Sequence, residues 1–236
     1  MRAELSDAVT GAWQTLGSCG VWWTGEERLT LAREARAARN CALCVTRKAA
    51  PIPQAVAGAH TTATALSAAA IEAIHRIVSD PGRLSEAWYK RTIAAGLSEE
   101  AYIELLGVVA VTTAVDTFDR ALGAPLRALP PAGSGQPSRR RPSGAKPGLG
   151  WMPMLAPEDV AADDPPLYTI AGRSGGNVHR ALSLVPEAMM QFWDLFEPMY
   201  LHQSAMRDFG REYRAVSHAQ IEMMAARVAV QNQCVY

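Results

Sequence analysis

Apolar positions recur along this chain at helical spacing almost wherever a pattern can be read, and two-residue alternation is nearly absent. Thr24 followed by Glu27 forms a capping box that opens an Ala/Arg/Glu-rich helix running to about Arg39. A short helix is expected next, with Asn40 as its N-cap and its end before Pro51-Ile52-Pro53. Ser67 to Ser79 predicts a further helix, closed by Asp80-Pro81-Gly82, and Ser85 to Ala95 another. Ser98 opens a long apolar helix from Glu99 to about Leu122, ended by Gly123 and Pro125. Helices are expected again over Asn177 to Leu184, Pro186 to Met199 and His202 to Gly210. The last starts at Ser217, caps back through Gln220, and runs to about Gln231. The expected fold class is all-α, with less than about a tenth of residues in strands.

Between Leu129 and Pro166 the composition shifts to Pro, Gly and Ser with no periodic pattern, which reads as a linker or long surface excursion. The expected organisation is therefore a helical half over 1–128, a linker over 129–166 and a second helical half over 167–236. Arg139-Arg140-Arg141 is the one basic run and falls in the linker, where a solvated role is expected. The 236 residues carry 23 Lys plus Arg against 23 Asp plus Glu, and this balance argues against nucleic acid or an anionic membrane as partner. The opening stretch to Ser18 holds Arg2, Glu4 and Asp7 without an apolar run, unlike a secretory signal. The apolar run Val108 to Val115 is far too short to span a bilayer. A cytoplasmic location follows as the expectation, because four cysteines in a chain this long do not make a disulfide scaffold.

The chemistry concentrates in Cys41-Ala42-Leu43-Cys44, a C-x-x-C pair at an expected helix start. Two intervening residues put both sulfurs on one face of a turn, within reach of a dithiol/disulfide cycle. The exposed N–H groups of a first turn favour thiolate, which on position alone makes Cys41 the more acidic thiol. Half of a metal site, with His60 and His75 as partners, and inert packing are the competing readings. The histidine spacing matches no common zinc pattern, so no metal is expected. Arg173-Ser174-Gly175-Gly176 reads as a loop, because no strand precedes it, and no haem, flavin or nucleotide cofactor is indicated.

Further residues carry a family resemblance. Glu222 precedes Cys234 by eleven intervening residues, with Arg227-Val228-Ala229 and Asn232-Gln233 between them. Asn177 to Ser183 followed by Pro186, and Leu97-Ser98-Glu99-Glu100 through Leu122-Gly123, add to the pattern. These features resemble the alkylhydroperoxidase D and carboxymuconolactone decarboxylase superfamily, whose peroxidase motif is Glu, eleven residues, C-x-x-C, three residues, His. In the C-terminal copy the second cysteine and the histidine would fall beyond Tyr236. In the N-terminal copy Lys48 stands at the histidine position and Leu29 at the glutamate position, with Glu34 as the nearest acidic replacement.

The resemblance implies two tandem helical halves and thiol-dependent reduction of a small hydroperoxide, with an external dithiol as reductant. Cys44 would attack and Cys41 resolve, the opposite of the helix-start argument. A buried glutamate of raised pKa would serve as base. The candidate site residues are thus Cys41, Cys44, Glu34, Lys48, Glu222 and Cys234. On a straight helix Glu222 and Cys234 would lie roughly 18 Å apart, so they cooperate only if the chain folds back near Asn232. The rival functions are a cofactor-free lyase on the same fold and a non-catalytic helical oligomerisation module. A homo-oligomer is expected, paired through the helices around Phe192-Trp193 and Met223-Met224.

Overall fold

The computed structural model describes residues 2–148, 150–168, 175–206 and 208–234, apart from the side chains of Gln203 and Ser204. Arg173, Ser174 and Tyr236 lie outside the described residues. The helices, in order, are α1 (Ala3–Leu16), α2 (Gly25–Ala38), α3 (Ala42–Ala49), α4 (Ala68–Ser79), α5 (Glu86–Ala94), α6 (Glu99–Ala121), α7 (Asn177–Arg180), α8 (Pro186–Met199), α9 (Gln203–Met206) and α10 (His218–Gln231). Among the described residues there is no strand, and Lys146 and Met154 form an isolated bridge. The fold is all-α.

Side-chain caps account for five of the helix starts among the described residues. Thr24 and Ser217 make complete capping boxes with Glu27 and Gln220, while Ser67, Ser85 and Ser98 accept the backbone N–H three residues on. Thr24→Ala should lower stability by about 1 kcal/mol. In a chain of this size that is a fall of about 2–4 °C in Tm, measurable by thermal circular dichroism.

Four elements differ from expectation, one of them α9, which is Gln203–Met206 among the described residues rather than His202 to Gly210. Cys41, not Asn40, is the N-cap of α3, because Asn40 and Cys41 still donate to the Ala37 and Ala38 carbonyls that end α2. The chain turns extended only at Cys41, with φ −70 and ψ 120. Helix α7 stops at Arg180 rather than Leu184, since Ser183 Oγ donates to the Arg180 carbonyl and accepts from Leu155 N–H, holding a turn there. Helix α1 was not anticipated, although Val9, Trp13 and Leu16 sit at helical spacing and are all buried.

Helix α6 is the central element, packing against α1, α2, α4 and α8. By length and hydropathy it is long enough to cross a membrane, yet 67% of its most apolar window is buried in the fold, as in a core helix. One hydrophobic cluster runs from Val9 on α1 to Leu195 on α8, so α8 shares the core of the helices before residue 128. Phe192 and Trp193 pack against this core, whereas Met223 and Met224 on α10 are exposed.

The 129–166 segment is docked rather than loose. Leu155 is fully buried, Gly133 N–H donates to the Gly17 carbonyl, and Arg139 N–H donates to the Val21 carbonyl. Arg139 and Arg141 are exposed, as expected of a solvated run, yet all three side chains also find partners. Arg139 stacks on Trp22, Arg140 pairs with Asp163 and Asp164, and Arg141 pairs with Glu99 and Glu100. Acidic side chains far away in sequence turn the basic run into a strap, which local composition cannot reveal.

Candidate dithiol–histidine site

Four segments meet at Cys41 and Cys44. Helix α2 brings Glu34 from just before its last turn, and the start of α3 brings the two cysteines. The extended loop after the 3-10 turn Pro53–Ala55 brings His60, Thr61, Ala63 and Thr64. Helix α4 presents Glu72, His75 and Ser79, spaced by three and four residues and so on one face. The cysteines, Glu34 and His75 are buried, and the His60 side chain is only 9% exposed.

The sulfurs and ring nitrogens converge. His60 Nδ1 lies 3.5 Å from both Cys41 Sγ and Cys44 Sγ, and His75 Nδ1 lies 3.3 Å from Cys44 Sγ. Thr61 N–H donates to Cys41 Sγ at 3.4 Å. Each imidazole is held from behind by a carboxylate, His75 Nε2 by Glu34 at 2.8 Å and His60 Nε2 by Glu72 at 2.9 Å. Arg47 and the Trp88 indole N–H donate to Glu72 in turn, at 2.9 and 3.1 Å. Glu34 also accepts from Thr64 Oγ at 2.6 Å and Ala63 N–H at 3.0 Å, tying the loop to α2.

This network sets the charges. Burial pushes the Cys44 thiol up, but hydrogen bonds with His60 and His75, helped by the neighbouring Ser79 hydroxyl, outweigh it and bring the thiol down to about 6. Cys41 is lowered too, against burial, by the nearby Cys44 N–H, by His60 and by the Thr61 N–H. Burial disfavours an imidazolium at His60, yet Cys44, Glu72 and Cys41 raise it to about 10. Glu72, despite burial, is held down to about 2 by His60, Trp88 and Arg47. Glu34 reverses the sequence expectation of a raised carboxyl. Burial acts upward, but Thr64, His75 and Ala63 hold it below its ordinary value. It therefore stands as a carboxylate that orients His75, not as a base poised near neutrality.

Of the six candidate residues, the structure brings Cys41, Cys44 and Glu34 together. Lys48 is exposed one turn beyond Cys44, and the thiols meet His60 and His75 instead. Glu222 turns to Tyr200 Oη at 2.7 Å and to His218. Cys234 is exposed, and its N–H returns to the Ala229 carbonyl, so the chain stays at the helix end and does not fold back to Glu222. Glu72, Arg47 and Ser79 were not singled out from sequence. The signal for two of them was available, since Glu72, His75 and Ser79 fall on one face of a helix whose limits are readable.

Cys44 also lines a pocket of about 220 Å³, together with Ala38, Arg39, Val45, Lys48, Val78 and Ser79. Cys41 is fully buried and does not border it. Comparisons with protein-family models, curated proteins and solved structures find no match to the chain.

Proposed function

We propose that Cys41 and Cys44 run a dithiol/disulfide cycle that reduces a small hydroperoxide at the expense of an external dithiol. The reading keeps the resemblance to the alkylhydroperoxidase D superfamily, with His60 and His75 in place of the histidine that Lys48 displaces. The observation that carries it is positional: Cys44 borders a pocket and touches two imidazoles, while Cys41 lies buried behind it.

The steps follow from that arrangement. Cys44 thiolate attacks one peroxide oxygen, the O–O bond breaks, and the departing alkoxide takes a proton from a neighbouring imidazolium to leave as alcohol. Cys44 is then a sulfenic acid. Cys41 sulfur attacks Cys44 sulfur, and hydroxide leaves and is protonated to water, giving the disulfide. The external dithiol reduces that bond by exchange through a mixed disulfide. The sum is hydroperoxide plus dithiol giving alcohol, water and the oxidised donor.

The test is hydroperoxide consumption with a dithiol donor by the intact chain and by the Cys41→Ser/Cys44→Ser double variant. Turnover in the first and none in the second is expected, and equal turnover in both rejects the reading. A second expectation concerns pH. With Cys19 and Cys234 replaced by serine, alkylation of the reduced protein should report the dithiol alone. Because Cys44 is lowered from 9.0 to about 6, its thiolate should dominate above pH 6. A reaction midpoint near 9 would contradict the geometry.

A further inference from the structure

The side chains that would handle peroxide are also arranged as a ligand set. Cys41 Sγ, Cys44 Sγ and one ring nitrogen from each of His60 and His75 all lie within 4.8 Å of one another. A tetrahedral zinc ion holds sulfur at about 2.3 Å and imidazole nitrogen at about 2.0 Å, which places a sulfur and a nitrogen ligand about 3.5 Å apart. The observed sulfur–nitrogen distances are 3.3, 3.5 and 3.5 Å.

The outer groups point the same way. A metal-bound imidazole characteristically donates its other ring N–H to a carboxylate, which fixes its tautomer and orientation. Both histidines do this, His60 to Glu72 and His75 to Glu34. With both cysteines as thiolates, hydrogen bonding alone would need both rings doubly protonated, with their centroids 4.2 Å apart. One divalent cation between the Nδ1 atoms and the thiolates replaces those two facing protons and leaves both rings neutral. The donor set, two thiolates and two imidazoles, suits a zinc-class ion over magnesium or calcium.

We propose that the reduced site binds one zinc-class divalent cation through Cys41 Sγ, Cys44 Sγ, His60 Nδ1 and His75 Nδ1. Four protein ligands close the coordination shell, so the ion caps the dithiol and has no open position for a substrate. This assignment stands on geometry alone. Its regulatory consequence, that ion and hydroperoxide compete for Cys44, rests on the peroxide-reducing reading above. Oxidation of the capped site is balanced as metal dithiolate plus hydroperoxide plus two protons giving disulfide, alcohol, water and free metal ion.

The experiment uses the full chain with Cys19 and Cys234 replaced by serine, reduced and stripped with a chelator, then titrated with Co²⁺. One equivalent should give the intense visible bands of a tetrahedral site together with a thiolate-to-cobalt charge-transfer band, and Zn²⁺ should bleach both. Cys41→Ser should weaken the charge-transfer band. Glu72→Gln, a change behind the ligands, should lower affinity about 10- to 100-fold with the spectrum retained. X-ray absorption of the zinc-loaded protein should count two sulfur and two nitrogen neighbours, which needs no variant to fold. Pale octahedral bands, or a sulfur count other than two, overturn the assignment.

Hydroperoxide added to the zinc-loaded protein should then release one ion per disulfide formed. Equal peroxide consumption by loaded and metal-free protein overturns the competition. A tetrahedral site in a protein whose metal-free form consumes no peroxide sinks the peroxide reading and leaves the metal assignment standing. Peroxide turnover without a tetrahedral site does the reverse.

Discussion

Cys44→Ser is expected to bring hydroperoxide consumption down to the uncatalysed background, while Cys41→Ser leaves the first chemical step intact. The asymmetry comes from position. Cys44 lines the pocket beside Val45 and Lys48, and the Nδ1 atoms of His60 and His75 both face its sulfur. Cys41 is fully buried and contacts one imidazole and the Thr61 N–H. Removing the Cys44 sulfur takes away the atom that must meet the peroxide, and no neighbour can replace it. Without Cys41 the peroxide is still cleaved once, but the sulfenic acid at Cys44 has no resolving partner. It should persist and be trapped by a sulfenic-specific nucleophile or as a mixed disulfide with the donor. Mass spectrometry after one equivalent of peroxide distinguishes the two outcomes. A sulfenic acid found on Cys41 in the Cys44→Ser protein, with turnover retained, would reverse the assignment in favour of the helix-start argument.

The helices were largely legible because their signals are local. Capping residues such as Thr24, Ser67 and Ser217 mark starts within one residue of those observed. The all-α class follows from them. What connects the elements is not local. The docking of Arg140 and Arg141 onto Asp164 and Glu100 joins residues 24 and 41 positions apart. The expectation of a solvated run rests on the Pro/Gly/Ser-rich composition around it, which carries no sign of these pairings.

The site divides in the same way. Cys41 and Cys44 are visible as a motif, and Glu34 was reached through a family spacing that it does not satisfy. His60 and His75 stood out as possible metal partners but were set aside on spacing. Spacing fails here because the loop before α4 is extended and folds back over α3. It brings residues 16 and 31 positions after Cys44 to the same sulfur. Glu72 shares a helix face with His75, but its partner His60 comes from the loop before α4, and no helical or motif rule links those two. A tertiary fold-back of this kind leaves no periodic trace.

Glu34→Ala should be among the most destabilising single substitutions in the chain, costing about 3–5 kcal/mol, the range for removing one partner of a buried charge pair. The side chain is fully buried and accepts three hydrogen bonds, from His75 Nε2, Thr64 Oγ and Ala63 N–H. Truncation strands those donors in the interior and cuts the tie between α2 and the loop that carries His60. At about 2–4 °C per kcal/mol, the fall in Tm should be on the order of 10 °C. Glu34→Gln preserves volume and an acceptor oxygen, so it should lose less stability. It also removes the negative charge behind His75, and thiol alkylation should therefore shift toward higher pH. The acid limb has a defined sign. Because the folded carboxyl titrates below its ordinary 4.5, its contribution is complete above that pH and is lost as the pH falls through the folded value. The stability gap between the wild-type chain and Glu34→Ala should accordingly be widest near neutrality and close on acidification below about 4.5. Urea unfolding at several pH values measures both gap and trend. A variant within about 1 kcal/mol of the wild-type chain at pH 7 would show that Glu34 does not brace the site.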